Sequence, residues 1–146
     1  MSRPPPATRA TFRAFYPMPT RWMDNDVYGH VNNVVYYAWF DTAVNRFLID
    51  AGTLDIAGSP TVGLVAETGC RYRASVRYPE EVTIGLVVAH LGTSSVRYEL
   101  AVFRAGEDAA VAEAHFVHVY VDRATQRPVP IPAAARAAMQ RIAAGH

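Results

Sequence analysis

From Thr61 to Asp122 the chain reads as strand after strand, with no stretch left over for a helix. Val82, Ile84, Leu86 and Val88 alternate with Thr83 and Gly85. Val96, Tyr98, Leu100 and Val102 alternate with Arg97 and Glu99, and Val117, Val119 and Val121 with His118 and Tyr120. A period of two puts one apolar face on each run. Short turn signals separate them: Tyr78-Pro79-Glu80, Leu91-Gly92-Thr93-Ser94 and Ala105-Gly106-Glu107-Asp108. Consecutive strands joined this tightly pair antiparallel. Such a sheet needs something apolar to cover it.

The one long helix candidate runs from about Asn33 to Ala51, where Tyr36, Phe40, Val44 and Phe47 recur at helical spacing. Asn32 or Asn33 caps its start and Gly52 closes its end. Its first turns are apolar on nearly every side, which predicts burial on most faces. Phe12 to Trp22 predicts a strand that Pro17 and Pro19 confine to an edge. Ala133 to Ala144, after Pro128, Pro130 and Pro132, predicts a short terminal helix. The expected fold is therefore α+β: about five mainly antiparallel strands curved around one long central helix. Residues 1–11 are expected to form a flexible proline-rich arm ahead of a single domain over 12–146. Open sheet edges predict a homo-oligomer.

Composition narrows the function classes. With 51% apolar residues the 146-residue chain can bury a sizeable core. A formal net charge of +1 speaks against a general nucleic-acid surface. Cys70 is the single cysteine, so no internal disulfide forms, which suits a reducing compartment. No apolar run is long enough to span a membrane and no signal-peptide pattern follows Arg3 and Arg9. The expectation is a soluble, cytoplasmic protein without a membrane partner.

The most informative stretch is Arg21-Trp22-Met23-Asp24-Asn25-Asp26-Val27-Tyr28-Gly29-His30-Val31-Asn32-Asn33. Two carboxylates lie two residues apart in a loop that leads through a glycine into a capped helix. A helix N-terminus presents unpaired N–H groups and partial positive charge, which suits a developing oxyanion. A carboxylate a few residues upstream adds a nucleophile or base, the minimum for acyl transfer. Asp24-Asn25-Asp26 begins like an EF-hand loop, but Val35 stands where the bidentate Glu belongs, so no metal site is expected. His115 and His118, three apart on a strand, face opposite sides.

This stretch resembles the signature of the 4-hydroxybenzoyl-CoA thioesterase-like family of hotdog proteins, carried by Asp24, Asp26, Gly29, His30, Val31, Asn32, Asn33, Tyr36 and Tyr37. Val65-Ala66-Glu67-Thr68, Cys70-Arg71-Tyr72-Arg73, Leu91-Gly92-Thr93-Ser94-Ser95 and Arg127-Pro128-Val129-Pro130-Ile131-Pro132 extend the likeness along the chain. The resemblance implies a hotdog-fold acyl-CoA thioesterase, a dimer or homotetramer, needing no cofactor. It implies that Asp26 attacks the thioester carbonyl or activates water, and that the backbone N–H of Asn33 polarises the carbonyl. His30 orients the loop or contacts substrate, and Asp24 fixes the loop.

Tyr28, Gly29 and Tyr36 are expected to line an acyl pocket. Glu67, in an apolar strand context, is a partly buried carboxylate available as a second acid or base. Arg71, Arg73 and Arg77 share parity on one strand, forming either a solvated face or a clamp for CoA phosphates. Ser94 and Ser95 are expected beside the pantetheine chain. A thioesterase of acyl carrier protein, a non-catalytic acyl-CoA binder and a hotdog dehydratase are the alternatives. The last would need a histidine partner for Asp41 on the helix, and none is evident in the sequence.

Overall fold

The structure, a computed structural model, describes residues 4–145. Five strands, β1 (Ala14–Pro19), β2 (Thr61–Tyr72), β3 (Glu81–Leu91), β4 (Ser95–Arg104) and β5 (Ala112–Asp122), form one sheet in the order β1-β3-β4-β5-β2. Every neighbouring pair is antiparallel. Helix α1 (Asn33–Asp50) lies across one face and helix α2 (Ala133–Arg141) packs at the β3 side. This is the curved antiparallel sheet on a long helix that the alternation predicts.

Local chemistry sets each boundary of α1. The Asn32 side chain accepts from the Val34 N–H at 3.0 Å, the N-cap bond. At the other end Gly52 takes φ +74°, and the Thr53 N–H reaches back to the Leu48 carbonyl at 3.0 Å. Between them Tyr36, Trp39, Phe40, Ala43, Val44, Phe47 and Leu48 form a stripe that meets the inward rows of β3, β4 and β5. Each large side chain so buried contributes roughly 1.5–3 kcal/mol.

Only that stripe is covered. Val34 is 68% exposed, and Val35 and Tyr37 are half-buried. The expectation of burial on most faces fails in this chain, because a single sheet covers a single side of a helix. Terminal helix α2 ends at Arg141 rather than Ala144, since Ala143 bridges to Val88 instead.

The sheet's outer face carries a smaller cluster of Phe12, Val87, Ala101, Phe103 and Ala110. Residues 4–11, expected as a loose arm, are bonded across it. The Ala7 carbonyl accepts from the Ala110 N–H at 2.9 Å. Arg9 donates to the Glu107 carbonyl at 2.8 Å, and its guanidinium stands 4.8 Å over the Phe103 ring. The first three residues of that arm lie outside the described residues.

The two edges differ. β1 is short and carries Pro17 and Pro19, as expected of an edge. β2 is twice as long, and Leu64, Val65, Ala66, Glu67 and Thr68 on it are all exposed. A bulge interrupts it between Val65 and Glu67.

Candidate active site

The loop from Arg21 to Asn32 is closed by its own hydrogen bonds. Asp24, 2% exposed, accepts from the Arg21 N–H at 2.8 Å and from the Arg21 guanidinium at 2.8 and 3.0 Å. Its carbonyl accepts from the Asn32 N–H at 2.9 Å. The Asp26 N–H donates to the His30 carbonyl at 2.9 Å, and the Gly29 N–H to the Asp26 carbonyl at 3.0 Å. Gly29 completes this turn at φ +80°, a backbone region that costs other residues about 1–2 kcal/mol. Two bonds anchor the loop to the segment after β2: Val31 N–H to the Val76 carbonyl at 2.7 Å, and Tyr78 N–H to Asn25 Oδ1 at 3.1 Å.

Asp26 is thereby held beside the head of α1. One carboxylate oxygen accepts from the Tyr28 N–H at 2.9 Å; the other lies 3.5 Å from the Asn32 side-chain amide. The same Asn32 caps the helix, so one side chain ties the carboxylate to the helix start. The Asn33 N–H, at the first helical position, has no intrahelical acceptor.

Beneath that N–H opens a cleft of about 290 Å³ lined by His30, Asn33, Tyr36, Tyr72, Arg73 and Ser75 among others. Burial pushes the Tyr36 phenol up to about 12, and burial raises Tyr72 as well. Both phenols therefore stay protonated at neutral pH. Their rings meet edge to face at 5.0 Å, and Tyr72 donates to the Asn33 carbonyl at 3.3 Å. The free N–H of a helix N-terminus favours an oxygen that gains negative charge. Asp26 does not line the cleft itself; it stands beside the helix head, next to Asn32.

Other residues singled out in the sequence fall elsewhere. Glu67 is on the outer face, its side chain 62% exposed, 3.0 Å from His115 and 3.8 Å from Arg97. The expectation of a partly buried acid or base there is corrected: the edge strand has no neighbour to cover it. Arg71 also points outward, into a second cleft of about 340 Å³ with Arg97, Glu99, Glu113 and His115. Arg73 is held by Glu113 at 2.6 Å and by the Pro4 carbonyl at 2.9 Å. Arg77 lies beyond the end of β2, so the three arginines do not share one strand.

Ser94 and Ser95 form the β3–β4 turn at the opposite end of the sheet. Ser95 pairs with Val119, whereas Tyr72 beside the helix head pairs with Ala112. Seven residues of strand separate those levels, roughly 23 Å. Tyr28 is 82% exposed and is not among the residues lining the cleft by Asn33. Tyr72 is the residue that sequence reading missed at the helix head. It reaches there because β2 ends beside α1, an adjacency no local pattern carries.

Among the described residues no group of three or more His, Cys, Asp or Glu side chains is placed to hold a metal ion. No helix among them is long and apolar enough to cross a membrane.

The sequence pattern of the thioesterase-like superfamily matches residues 20–139. No curated protein matches the chain. Among solved structures, a protein from Pseudomonas aeruginosa strain PAO1 shares 50% identity at a TM-score of 0.94, covering 97% of this chain and 99% of that one. A gentisyl-coenzyme A thioesterase superposes at a TM-score of 0.77 with 24% identity, over 86% of this chain and 99% of that one. A 1,4-dihydroxy-2-naphthoyl-CoA thioesterase from Synechocystis does so at 0.79 with 15% identity, over 86% of this chain and 94% of that one. At those identities the last two speak for the hotdog fold.

Proposed function

The chain belongs to the thioesterase-like superfamily, and from that premise we propose that it hydrolyses an acyl-CoA thioester at the head of α1. The observation that carries this reading is the joint placement of Asp26 and the Asn33 N–H around one capping side chain, Asn32. The thioester carbonyl oxygen lies against the Asn33 N–H. As charge grows on it, the amide and the helix dipole stabilise it; one such donor typically contributes on the order of 10²–10³ in rate. Asp26 attacks the carbonyl carbon, CoA leaves as thiolate and takes up a proton, and water then opens the mixed anhydride. In the alternative route Asp26 takes a proton from the water that attacks. Both routes use the same carboxylate and the same oxyanion donor, and neither draws on a cofactor.

His30 lines the cleft and orients the loop through its carbonyl bond to the Asp26 N–H. Tyr36 packs the cleft wall. Arg71, on the outer face, is the cation available to CoA phosphates, since Arg73 is already paired. The exposed β2 edge, together with the exposed apolar side chains Trp22, Met23, Val27, Tyr28 and Val34, supports a homo-oligomer in which a second copy covers this side. In such an assembly Tyr28 and Gly29 meet substrate at a subunit boundary, and Ser94 and Ser95 serve another protomer's site.

Thiol release from a panel of aromatic, short, medium and long acyl-CoAs tests the reading. Wild type turns over at least one class, and Asp26→Asn loses about 10²-fold or more of that rate. No release from any CoA ester by folded protein, or full activity in Asp26→Asn, overturns it.

A further inference from the structure

Near the C-terminal end of α1 lies a cavity of about 250 Å³ that shares no lining residue with the cleft under Asn33. Asn33 and Leu48, which wall the two, stand roughly 22 Å apart along the helix. The last turns of α1, the segment 53–56, the start of β2 and the end of β5 enclose it. Leu48, Leu54, Ile56 and Val62 supply its apolar wall. Gly63 pairs with Tyr120 across the sheet. Because Gly63 has no side chain, the Tyr120 ring lies over the strand: an added Cβ would stand 3.4 Å from Tyr120 Cε1. Thr61, on the same face as Gly63, adds a hydroxyl to the wall.

The polar groups of the wall are unevenly matched. Asn45 gives its amide N–H to the Asp41 carbonyl at 2.9 Å, and Thr53 its hydroxyl to the Leu48 carbonyl at 3.1 Å. Tyr120 is 5% exposed, yet its hydroxyl has no hydrogen-bond partner among the described residues. A buried tyrosine hydroxyl ordinarily finds one. Unlike the hydroxyl of Tyr98 it is not sealed off, and the space that Tyr120 borders is this cavity. Burial pushes its phenol up to about 12, so it keeps its proton at neutral pH. Arg123, exposed at the rim, donates from Nε to the Ser59 carbonyl at 2.6 Å and from Nη2 to the Ile56 carbonyl at 3.0 Å. Its remaining N–H groups and its charge meet no acid among the described residues. The acids of the adjoining turns face their own backbone: Asp122 accepts from the Ala124 and Thr125 N–H at 2.9 Å each, and Asp55 from the Ala57 N–H at 3.2 Å. What the cavity offers is therefore apolar wall, a free O–H and free N–H groups on a cation. Its complement is an apolar body that carries an anionic acceptor.

We propose that this cavity is a second ligand site, separate from the cleft under Asn33, for a small monocarboxylic acid with an apolar body of the size of benzoate. A cavity of about 150 Å³ already takes benzene, so this one has room for a ring and a carboxylate. The carboxylate accepts from the Tyr120 O–H and from a free Arg123 N–H, and the body lies against Leu48, Leu54 and Val62. A neutral ligand of the same shape leaves the cation unmatched and binds more weakly. Binding is reversible and no bond is made or broken, so the site stands whether or not the helix head hydrolyses thioesters.

The test titrates the full ¹⁵N-labelled chain with benzoate and with benzyl alcohol, its neutral counterpart, and follows the backbone amides. Benzoate moves the amides of Leu54, Val62 and Gly63 to saturation, and benzyl alcohol needs about tenfold more to do so. Tyr120→Phe and Arg123→Gln, each shown to be folded by the same spectra, weaken benzoate about tenfold. Amides of Leu54, Val62 and Gly63 that stay still, or shifts confined to Asn33 and Ser75, overturn the site. So does equal affinity for the two probes, or benzoate affinity unchanged in Tyr120→Phe. Should Arg123→Gln unfold because the Ser59 and Ile56 carbonyls lose their donor, Tyr120→Phe and the comparison of the two probes decide between these outcomes.

Discussion

The head of α1 and the middle of α1 solve opposite problems. At the head many polar groups are paired within a dozen residues of sequence, and exposed apolar side chains stand around them: Trp22, Met23, Val27, Tyr28 and Val34. At the middle the side chains are packed out of water, and the atoms left over are polar: both nitrogens of His118 and the hydroxyl of Tyr98. The first region is rigid by local bonds and open to a partner. The second is rigid by packing. A carboxylate that must act on a substrate belongs where the backbone can hold it without burying it.

Breaking the bonds that Asn32 makes at the helix head should affect stability and turnover together. Asn32→Ala removes the N-cap and the amide next to Asp26. The expected cost is about 0.5–2 kcal/mol in chemical denaturation, with kcat lowered about tenfold, equivalent to about 1.4 kcal/mol. A loss of stability with kcat intact would separate the cap from the chemistry.

A smaller effect sharpens the same point. Gly29 at φ +80° and Gly106 at φ +75° both occupy the left-handed region with nothing within 4 Å of an added Cβ. Alanine at either costs about 1 kcal/mol. Only Gly29→Ala is expected to lower kcat as well, because only that turn carries Asp26. Equal kcat in the two variants would mean the turn's shape is immaterial.

The smallest effect belongs to the buried region. Burial holds the His118 imidazole below its ordinary 6.5, against an opposing pull from Asp41. Its folded value therefore lies below its unfolded one. The neutral form contributes stability above 6.5, and that contribution is lost as pH falls through the folded value. Denaturation midpoints taken from about pH 7 down to about pH 5 should fall in wild type and fall less steeply in His118→Phe. Parallel profiles would mean that folding does not lower the affinity of His118 for its proton.

What could be read from sequence follows the same division. The strands of β3, β4 and β5, the edge position of β1 and both ends of α1 are written in periodicity, prolines and caps. The loop around Asp26 is legible because its bonds join residues close in sequence, Asp24 to Asn32 and Asp26 to His30. Glu67 was misread because alternation gives a face but not what covers it. Arg77 was misread because β2 ends at Tyr72. Asp41 touches no histidine: it acts on the buried His118 only through its charge, a proximity made by tertiary packing that no local pattern carries. The same holds for Tyr72 at the helix head.

The two aspartates of the loop give the most direct test, since they lie two residues apart and are assigned opposite roles. Asp24→Ala and Asp26→Asn are measured side by side, for denaturation midpoint and for kcat per folded molecule. The expected result is a crossed one. Asp24→Ala loses about 1–3 kcal/mol of stability by leaving the Arg21 N–H unpaired and keeps its turnover, while Asp26→Asn keeps its stability and loses about 10²-fold or more in kcat. Turnover that survives in Asp26→Asn, or that vanishes from folded Asp24→Ala, would contradict the assignment of Asp26 as the residue that does the chemistry.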